Sequence, residues 1–539
     1  MQVAQKQPAG EGRAPHAGRT ARLPARLSAS TIAWTSVGLL TLIGLVLRLI
    51  VANQALFADE LSTFWVVTNH RLFDMFSVVH GNAEISPPLF FLLAWLTAHV
   101  SHAEEFIRAP SLAAGVATIP LIYLLGLRTV GRTPALVATA LAAFSPFMIY
   151  YSAEARAYAV MMLFVVVSTL ALLYALDRGG AGWWVVYALS SCLAMYSHYT
   201  CAFLLAVQLA WVLWKHPPAR RPAILANLGA LVLFLPWATG VRNDFSSPTA
   251  DILSAISPFT VDSVTSSLAH WTIGHPYSYV PIDGMPGEVA LALAGGGLLV
   301  AVAGYTYTVS RSLGRGRRAA WGERERRILL VVALALSVPL GTMLASAVGD
   351  NIFGVRNLAA SWPAFALAVA ALLNAAGPRL RYVSIGLTLL AAVIAGVTML
   401  RDDYVRPDHH ATADFVEGQI APGDVVIDAT ALISPGPLST LDTTLDPGIP
   451  IIRAGAPAQR DHPFSVFDPI VTSKEAFAQA AKAAPGKRVF YVRTEPPSTP
   501  GYERRKRALR GEGSQFGYRR ASTRAFPGIN RVQVDVFEP

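Results

Sequence analysis

The chain has 539 residues, 53% of them hydrophobic and 14% charged, with a formal net charge of +10. Its mean hydropathy of +0.43 is too high for an ordinary soluble domain, and repeated apolar runs of about 20 residues indicate helices that cross a membrane. Unbroken runs of that length exclude a β-barrel, and basic residues divided among short loops exclude a nucleic-acid binder.

Read from the N-terminus, residues 1–31 are polar and rich in Gly, Pro and Arg, which predicts a disordered tail rather than a cleavable signal peptide. Lys6, Arg13, Arg19, Arg22 and Arg26 place this tail in the cytoplasm, so a first span near 32–52 exits outward. Just beyond it stands the acidic pair Asp59-Glu60, in FADELSTFW. The next apolar run, Pro87–Val100, has about 14 residues, short of the roughly 17–25 that a crossing helix needs. It is expected to lie in the interface, as a helix of a long external loop with Pro87-Pro88 in its first turn. Ten further spans are expected at 108–127, 135–151, 157–176, 183–198, 200–214, 222–240, 288–310, 328–347, 358–376 and 382–400, about eleven in all. This threading puts Arg128, Arg132, Arg178, Lys215 and the dense run Arg311–Arg327 inside. Asp59, Glu154, Arg156, His198, Tyr199 and Arg356 then fall outside, on one face, with everything after Arg401.

Residues 401–539 differ in composition. PGDVVIDA, KRVFYVRT and INRVQVDVF read as strands, and HHATADFVEGQI and SKEAFAQAAKAA as helices. The expected division is a cytoplasmic tail over 1–31, a transmembrane domain over 32–400 and a small extracytoplasmic α/β domain over 401–539.

Carboxylates at a membrane exit are costly to hold near hydrocarbon and mark sites more often than surfaces. Asp59 keeps apolar company in Phe57, Leu61, Phe64 and Trp65, and a carboxylate so placed can serve as a base. Glu60 either shares that work, orienting an acceptor or a metal, or simply favours a helix N-terminus. Arg108 opens the second span against the helix dipole and so wants an anion. The alternatives are Glu104 or Glu105, Asp59 or Glu60, or a lipid phosphate. Glu154 and Arg156 in YSAEARAY are two apart and point different ways on a helix. Arginine forks suit phosphate, which also bears on Arg356 in GVRNLAASWP, although Asp350 is a near neighbour there. His198-Tyr199 sit where two spans meet. Cys192 and Cys201 read as buried apolar fillers, and Asp408, His409 and His410 lack a further ligand at useful spacing for a metal. The sequence has no GxxxxGK[ST] loop, no GxGxxG after a strand and no GxSxG elbow, which removes nucleotide-driven pumping and hydrolase readings.

In order, the chain presents the acidic pair after helix one, S-P-P-L-F-F, R-x-P-S, Y-S-x-E-A-R-x-Y, H-Y and an Arg opening a late helix. This order resembles the GT-C glycosyltransferases of the family-39 type, the group of protein O-mannosyltransferases and lipid A aminoarabinose transferases, over residues of roughly 30–400. The resemblance implies a GT-C fold with juxtamembrane helices in the first external loop. It implies a polyprenyl-phosphate-sugar donor, an extracytoplasmic acceptor and inversion at the anomeric centre, in a multi-pass protein of the bacterial cytoplasmic membrane. By motif, Asp59 takes the place of the catalytic carboxylate and Glu60 that of its partner. Arg356 takes the place of a late-helix Arg on the donor phosphate; Arg156, Glu154, Arg108, His198 and Tyr199, read from their own placement at the same face, are expected to complete the donor site. Asn357 follows where Tyr is common, and Ser86 stands where His or Lys often does. Some members need a divalent cation and others do not; Glu84 and His198 are the candidates to hold one. A polyprenyl-linked lipid flippase or transporter is the rival reading, since charges within the membrane also mark ion pathways. A lipid-linked glycan ligase is the rival among enzymes.

Overall fold

A computed structural model of the chain describes residues 28–81, 84–101, 104–247, 258–314, 322–430, 438–455, 471–495 and 512–539. The basic tail 1–27 and the middle of the Arg311–Arg327 run lie outside the described residues.

Helix α1 (Ala29–Ala52) starts at Ser28, whose hydroxyl accepts from the Thr31 N–H at 3.1 Å. Three short helices follow, α2 (Asp59–Thr68), α3 (Leu72–His80) and α4 (Leu89–Ala98), none longer than 10 residues and none able to cross. The run that begins at Pro87 is therefore α4, as its length required.

The bundle continues through α5 (Glu104–Thr129), α6 (Arg132–Phe144), α7 (Pro146–Ser152) and α8 (Tyr158–Arg178). The single span expected over 135–151 is instead broken at Ser145 and bent by 59° between α6 and α7. Pro146 cannot donate to the Ala142 carbonyl four residues back, so that carbonyl needs another partner. Arg48 of α1, fully buried, supplies it, donating from Nη2 to Ala142 O at 3.0 Å and from Nη1 to Gly44 O at 2.9 Å.

Next come α9 (Ala181–Ser197), α10 (Cys201–Lys215), α11 (Arg220–Phe234), α12 (Ala238–Phe245), α13 (Val261–Thr272), α14 (Glu288–Gly314), α15 (Glu323–Val348), α16 (Trp362–Ala375) and α17 (Leu380–Thr398). Among the described residues eight helices are long and apolar enough to cross a membrane, nine if the α6–α7 pair counts as one. Adding α9 and α10, of 17 and 15 residues, gives a set consistent with the eleven expected. At one end of the bundle Arg128 and Arg327 both pair with Asp177, at 2.9 and 2.6 Å. The residues singled out above gather at the opposite end.

Close helix approach depends on small residues. A Cβ at Gly396 of α17 would lie 2.5 Å from the Phe144 carbonyl oxygen, a backbone atom that cannot swing aside. Gly396→Ala is expected to destabilise the bundle by about 1–3 kcal/mol through overpacking, read as a lower melting temperature in detergent. A melting temperature equal to wild type would show that α6 and α17 have room to part.

After α17 the described residues form a six-stranded sheet in the order β3-β2-β1-β4-β6-β5. The strands are β1 (Val425–Ala429), β2 (Ile451–Gly455), β3 (Val471–Thr472), β4 (Val489–Glu495), β5 (Arg519–Phe526) and β6 (Arg531–Glu538). The first four pair in parallel, and β6 joins antiparallel to β4 and β5. Side chains alternate between two cores: Val426, Phe490, Val492 and Val534 face α18 (His409–Glu417) and α19 (Thr440–Thr444), while Ile427, Val489 and Tyr491 face α20 (Ser473–Ala483). The three strands read from sequence are β1, β4 and β6; β2, β3 and β5 were not foreseen. In β5, RRASTRAF is mostly exposed and carries no apolar alternation to read.

The sheet is tied to the bundle through residues 404–408. The β5–β6 turn places Gly528 at φ +140°, where a Cβ would lie 2.7 Å from the Pro407 Cα. Beside it Ile529 N donates to Val405 O at 2.8 Å.

Candidate active site

The site forms where α1 ends and α2 begins. Ala58 has φ +52°, a conformation a non-glycine residue seldom holds, and it aims the first turn of α2. Successive residues on a helix point about 100° apart, so the two adjacent carboxylates part company. Asp59 turns toward open space, with its side chain 37% exposed, and pairs with Arg356. Glu60 turns into the protein and is fully buried.

Glu60 and Arg108 lock together. Arg108 donates from Nε and Nη2 to the two Glu60 carboxylate oxygens at 2.8 and 2.7 Å. Its remaining N–H groups reach the carbonyls of Ala52, Gln54 and Ala55, so every donor of the guanidinium is used. Glu60 also accepts from the Ala155 N–H at 2.8 Å and pairs with Arg406 at 2.8 Å. Arg406 belongs to the linker before the sheet; it lies over the Tyr150 ring, and its backbone N donates to Gln54 Oε1 at 3.1 Å. Of the partners expected for Arg108, the structure shows Glu60 rather than Glu104, Glu105 or Asp59; with every donor used, Arg108 has none free for a phosphate, and the enclosed pair braces the loop that presents Asp59.

Beside Asp59 opens a cavity of about 390 Å³, lined by Ser86, Arg156, Tyr158, His198, Tyr199, Asp244 and Arg356 with apolar walls from Phe203, Phe234 and Phe245. Arg156 donates from Nη1 to Glu84 Oε2 at 3.2 Å and from Nη2 to Ser86 Oγ at 3.4 Å. Glu84 also accepts from the Ser62 hydroxyl. His198 Nδ1 contacts Thr200 Oγ1 at 3.0 Å, and the Tyr199 hydroxyl donates to Asp244. Of the residues expected in a donor site, Arg156, Arg356, His198 and Tyr199 share this cavity. Glu154 does not line it: it is buried, and its Oε2 has no hydrogen-bond partner.

Charge settles which groups are ionised. Burial acts to raise the Asp59 carboxyl, but Arg356 and Arg156 together outweigh it and hold it below the usual carboxylate range. Burial, then the neighbouring Glu60 carboxylate, push the Glu154 carboxyl up to about 8, so it is mostly neutral at pH 7. At the cavity Arg156 and Arg356 are matched by Glu84 and Asp59, while behind it Arg108 and Arg406 share the single carboxylate of Glu60.

Two members of this arrangement, Arg406 and Asp244, were missed from sequence. Asp244 follows the apolar run of α11 just as Asp59 follows that of α1, and the same reasoning applied there finds it. Arg406, alone in YVRPD beyond the last span, carries no such signal. Among the described residues no three His, Cys, Asp or Glu side chains come together as a metal site. Glu84 is engaged by Arg156 and Ser62, and His198 by Thr200.

A family model described as dolichyl-phosphate-mannose-protein mannosyltransferase matches residues 86–239. No curated protein matches the chain. Among solved structures, ArnT from Cupriavidus metallidurans bound to undecaprenyl phosphate is 13% identical, with a TM-score of 0.52 over 94% of this chain and 98% of that one. The same protein in its apo state gives 14% identity and a TM-score of 0.42, with the same coverage. An Archaeoglobus fulgidus oligosaccharyltransferase tethered to an acceptor peptide gives 13% and 0.39, over 85% of this chain and 69% of that one. The first of these likenesses shows the GT-C fold.

Proposed function

We propose that this GT-C membrane glycosyltransferase moves a sugar from a polyprenyl-phosphate donor to an acceptor outside the bacterial cytoplasmic membrane, with Asp59 as base and Arg356 and Arg156 as the phosphate-binding cations. One observation carries the reading: two guanidinium groups, Arg156 and Arg356, line a membrane-end cavity beside a half-exposed carboxylate, Asp59, that pairs with Arg356. A lipid-linked donor stays in the bilayer, so its phosphate has to be met at the interface, and guanidinium forks fit it. The undecaprenyl phosphate bound by the similar ArnT supports a donor of that class.

The Asp59–Arg356 pair makes a simple device. A phosphate entering the cavity draws on the Arg356 guanidinium, and Asp59 loses its partner and becomes the stronger base. An acceptor N–H or O–H then gives its proton to Asp59 as its heteroatom attacks the anomeric carbon from the side opposite the phosphate. The bond from that carbon to the phosphate oxygen breaks, its electron pair leaves with polyprenyl phosphate, and the configuration inverts. Positive charge that builds on the sugar is stabilised by Asp59, and the departing negative charge by Arg356 and Arg156.

Arg356→Ala is expected to raise the donor KM by about 10- to 100-fold, the worth of one or two charge-assisted hydrogen bonds. The assay is release of polyprenyl phosphate from polyprenyl-phosphate sugars by the purified protein. A transporter would leave its lipid unchanged, and wild type that releases nothing from a panel of mannose, glucose and arabinose donors, with acceptor-bearing membranes added, would overturn the reading.

The region after the last span, residues 401–539 with the linker that carries Arg406, is part of the same proposal. It braces the loop of Asp59 through Arg406 and through Thr440, whose hydroxyl donates to the Leu56 carbonyl at 3.2 Å.

A further inference from the structure

The cavity holds an acid that the transfer step does not use. Asp244 closes α12, lines the cavity and is 4% exposed. One of its carboxylate oxygens accepts from the Tyr199 hydroxyl; that hydroxyl in turn accepts from Trp237 Nε1 at 3.0 Å, which turns its own proton toward Asp244. The other oxygen, Oδ1, is enclosed and has no hydrogen-bond partner. Among the described residues no Lys, Arg or His pairs with Asp244, although Arg156 and Arg356 line the same cavity. The wall is built rather than loose, since Asn243 Nδ2 donates to His80 O at 2.9 Å and His80 Nε2 meets Thr239 Oγ1 at 2.9 Å.

An enclosed carboxylate oxygen without a donor is unfavourable until something supplies one. The cavity therefore has two poles, a cationic one at Arg156 and Arg356 and an acidic one at Asp244. A glycosyl phosphate has matching poles, an anion at one end and a ring bearing O–H or N–H groups at the other. Resting on the proposed donor reading, we propose that Asp244, set by Tyr199, is a subsite for a hydroxyl or amino group of the donor sugar and fixes which sugars are accepted. The same pole rejects sugars that carry a carboxylate, because two like charges would be enclosed together.

The test compares two ligands on the full-length protein in detergent: bare polyprenyl phosphate, and the same lipid carrying mannose, glucose or arabinose. Wild type is expected to bind at least one sugar-bearing lipid more tightly than the bare one. Asp244→Leu is expected to erase that difference, a loss of about tenfold or more for the preferred donor, with bare polyprenyl phosphate unaffected. Asp244→Asn keeps the size and can still accept from Tyr199, and is expected to lose less while shifting the order of preference among the sugars. Arg356→Ala weakens both ligands. Equal weakening of both by Asp244→Leu in protein of wild-type melting temperature, or no change in either, overturns the subsite and leaves the donor reading standing. If Asp244→Leu melts early, the Asn variant decides: an unchanged order of preference with unchanged affinities overturns the subsite. Wild type that binds no polyprenyl phosphate overturns the donor reading and the subsite with it.

Discussion

Asp59→Asn is expected to lower turnover by about 10²–10⁴-fold, the usual worth of a positioned general base, while donor KM stays at or below wild type. The amide keeps the shape of the carboxylate and cannot take the acceptor proton. Arg356 loses its resting partner in this variant, so its hold on a phosphate does not weaken. Stability should hardly move, because the pair is more than one-third exposed on each side and such pairs contribute little. The measurement is polyprenyl phosphate release against donor concentration, with a melting curve beside it. Turnover like that of wild type would remove Asp59 from the reaction.

Its neighbour should behave in the opposite manner. Glu60→Gln removes the carboxylate shared by Arg108 and Arg406, all three buried to within 1% of full enclosure. Breaking a buried pair from one side strands the other charge, and here two guanidinium groups would be left facing each other. The expected cost is about 3–5 kcal/mol, seen as a clear fall in melting temperature and in folded yield from detergent. Residual activity should track the folded fraction rather than vanish in intact protein. A Glu60→Gln protein that melts like wild type yet releases no product would return Glu60 to the chemistry.

That opposition between adjacent residues marks the limit of what the sequence discloses. Sequence reading finds carboxylates beyond the first span, because acids near hydrocarbon are costly enough to stand out. It cannot tell which of two neighbours is exposed and which is enclosed, since that depends on how Ala58 sets the rotation of α2. Arg156, Arg356, His198 and Tyr199 were legible for a topological reason: loop charges thread the helices, and the threading brings these residues to one end. The bundle was readable from long apolar runs, and the interfacial placement of α4 from a run too short to cross. Arg48 escaped notice because its role exists only once Pro146 has broken α6–α7. In the sheet, β1, β4 and β6 are buried Val-rich strands, whereas β5 is polar and takes its place by pairing with β6.

The brace on the Asp59 loop also imposes an order of events during synthesis. Leu56 and Thr440 are separated by 384 residues, so the loop leaves the ribosome long before its support does. At the usual elongation rate of about 5–20 residues per second, roughly 20–80 s pass between the two. For most of that interval Glu60 has Arg108 but not Arg406, and to its end the Leu56 carbonyl awaits its donor. The nascent chain thus carries Asp59 from the first helix onward, yet the frame around its loop is complete only when the last quarter of the chain has been made and docked.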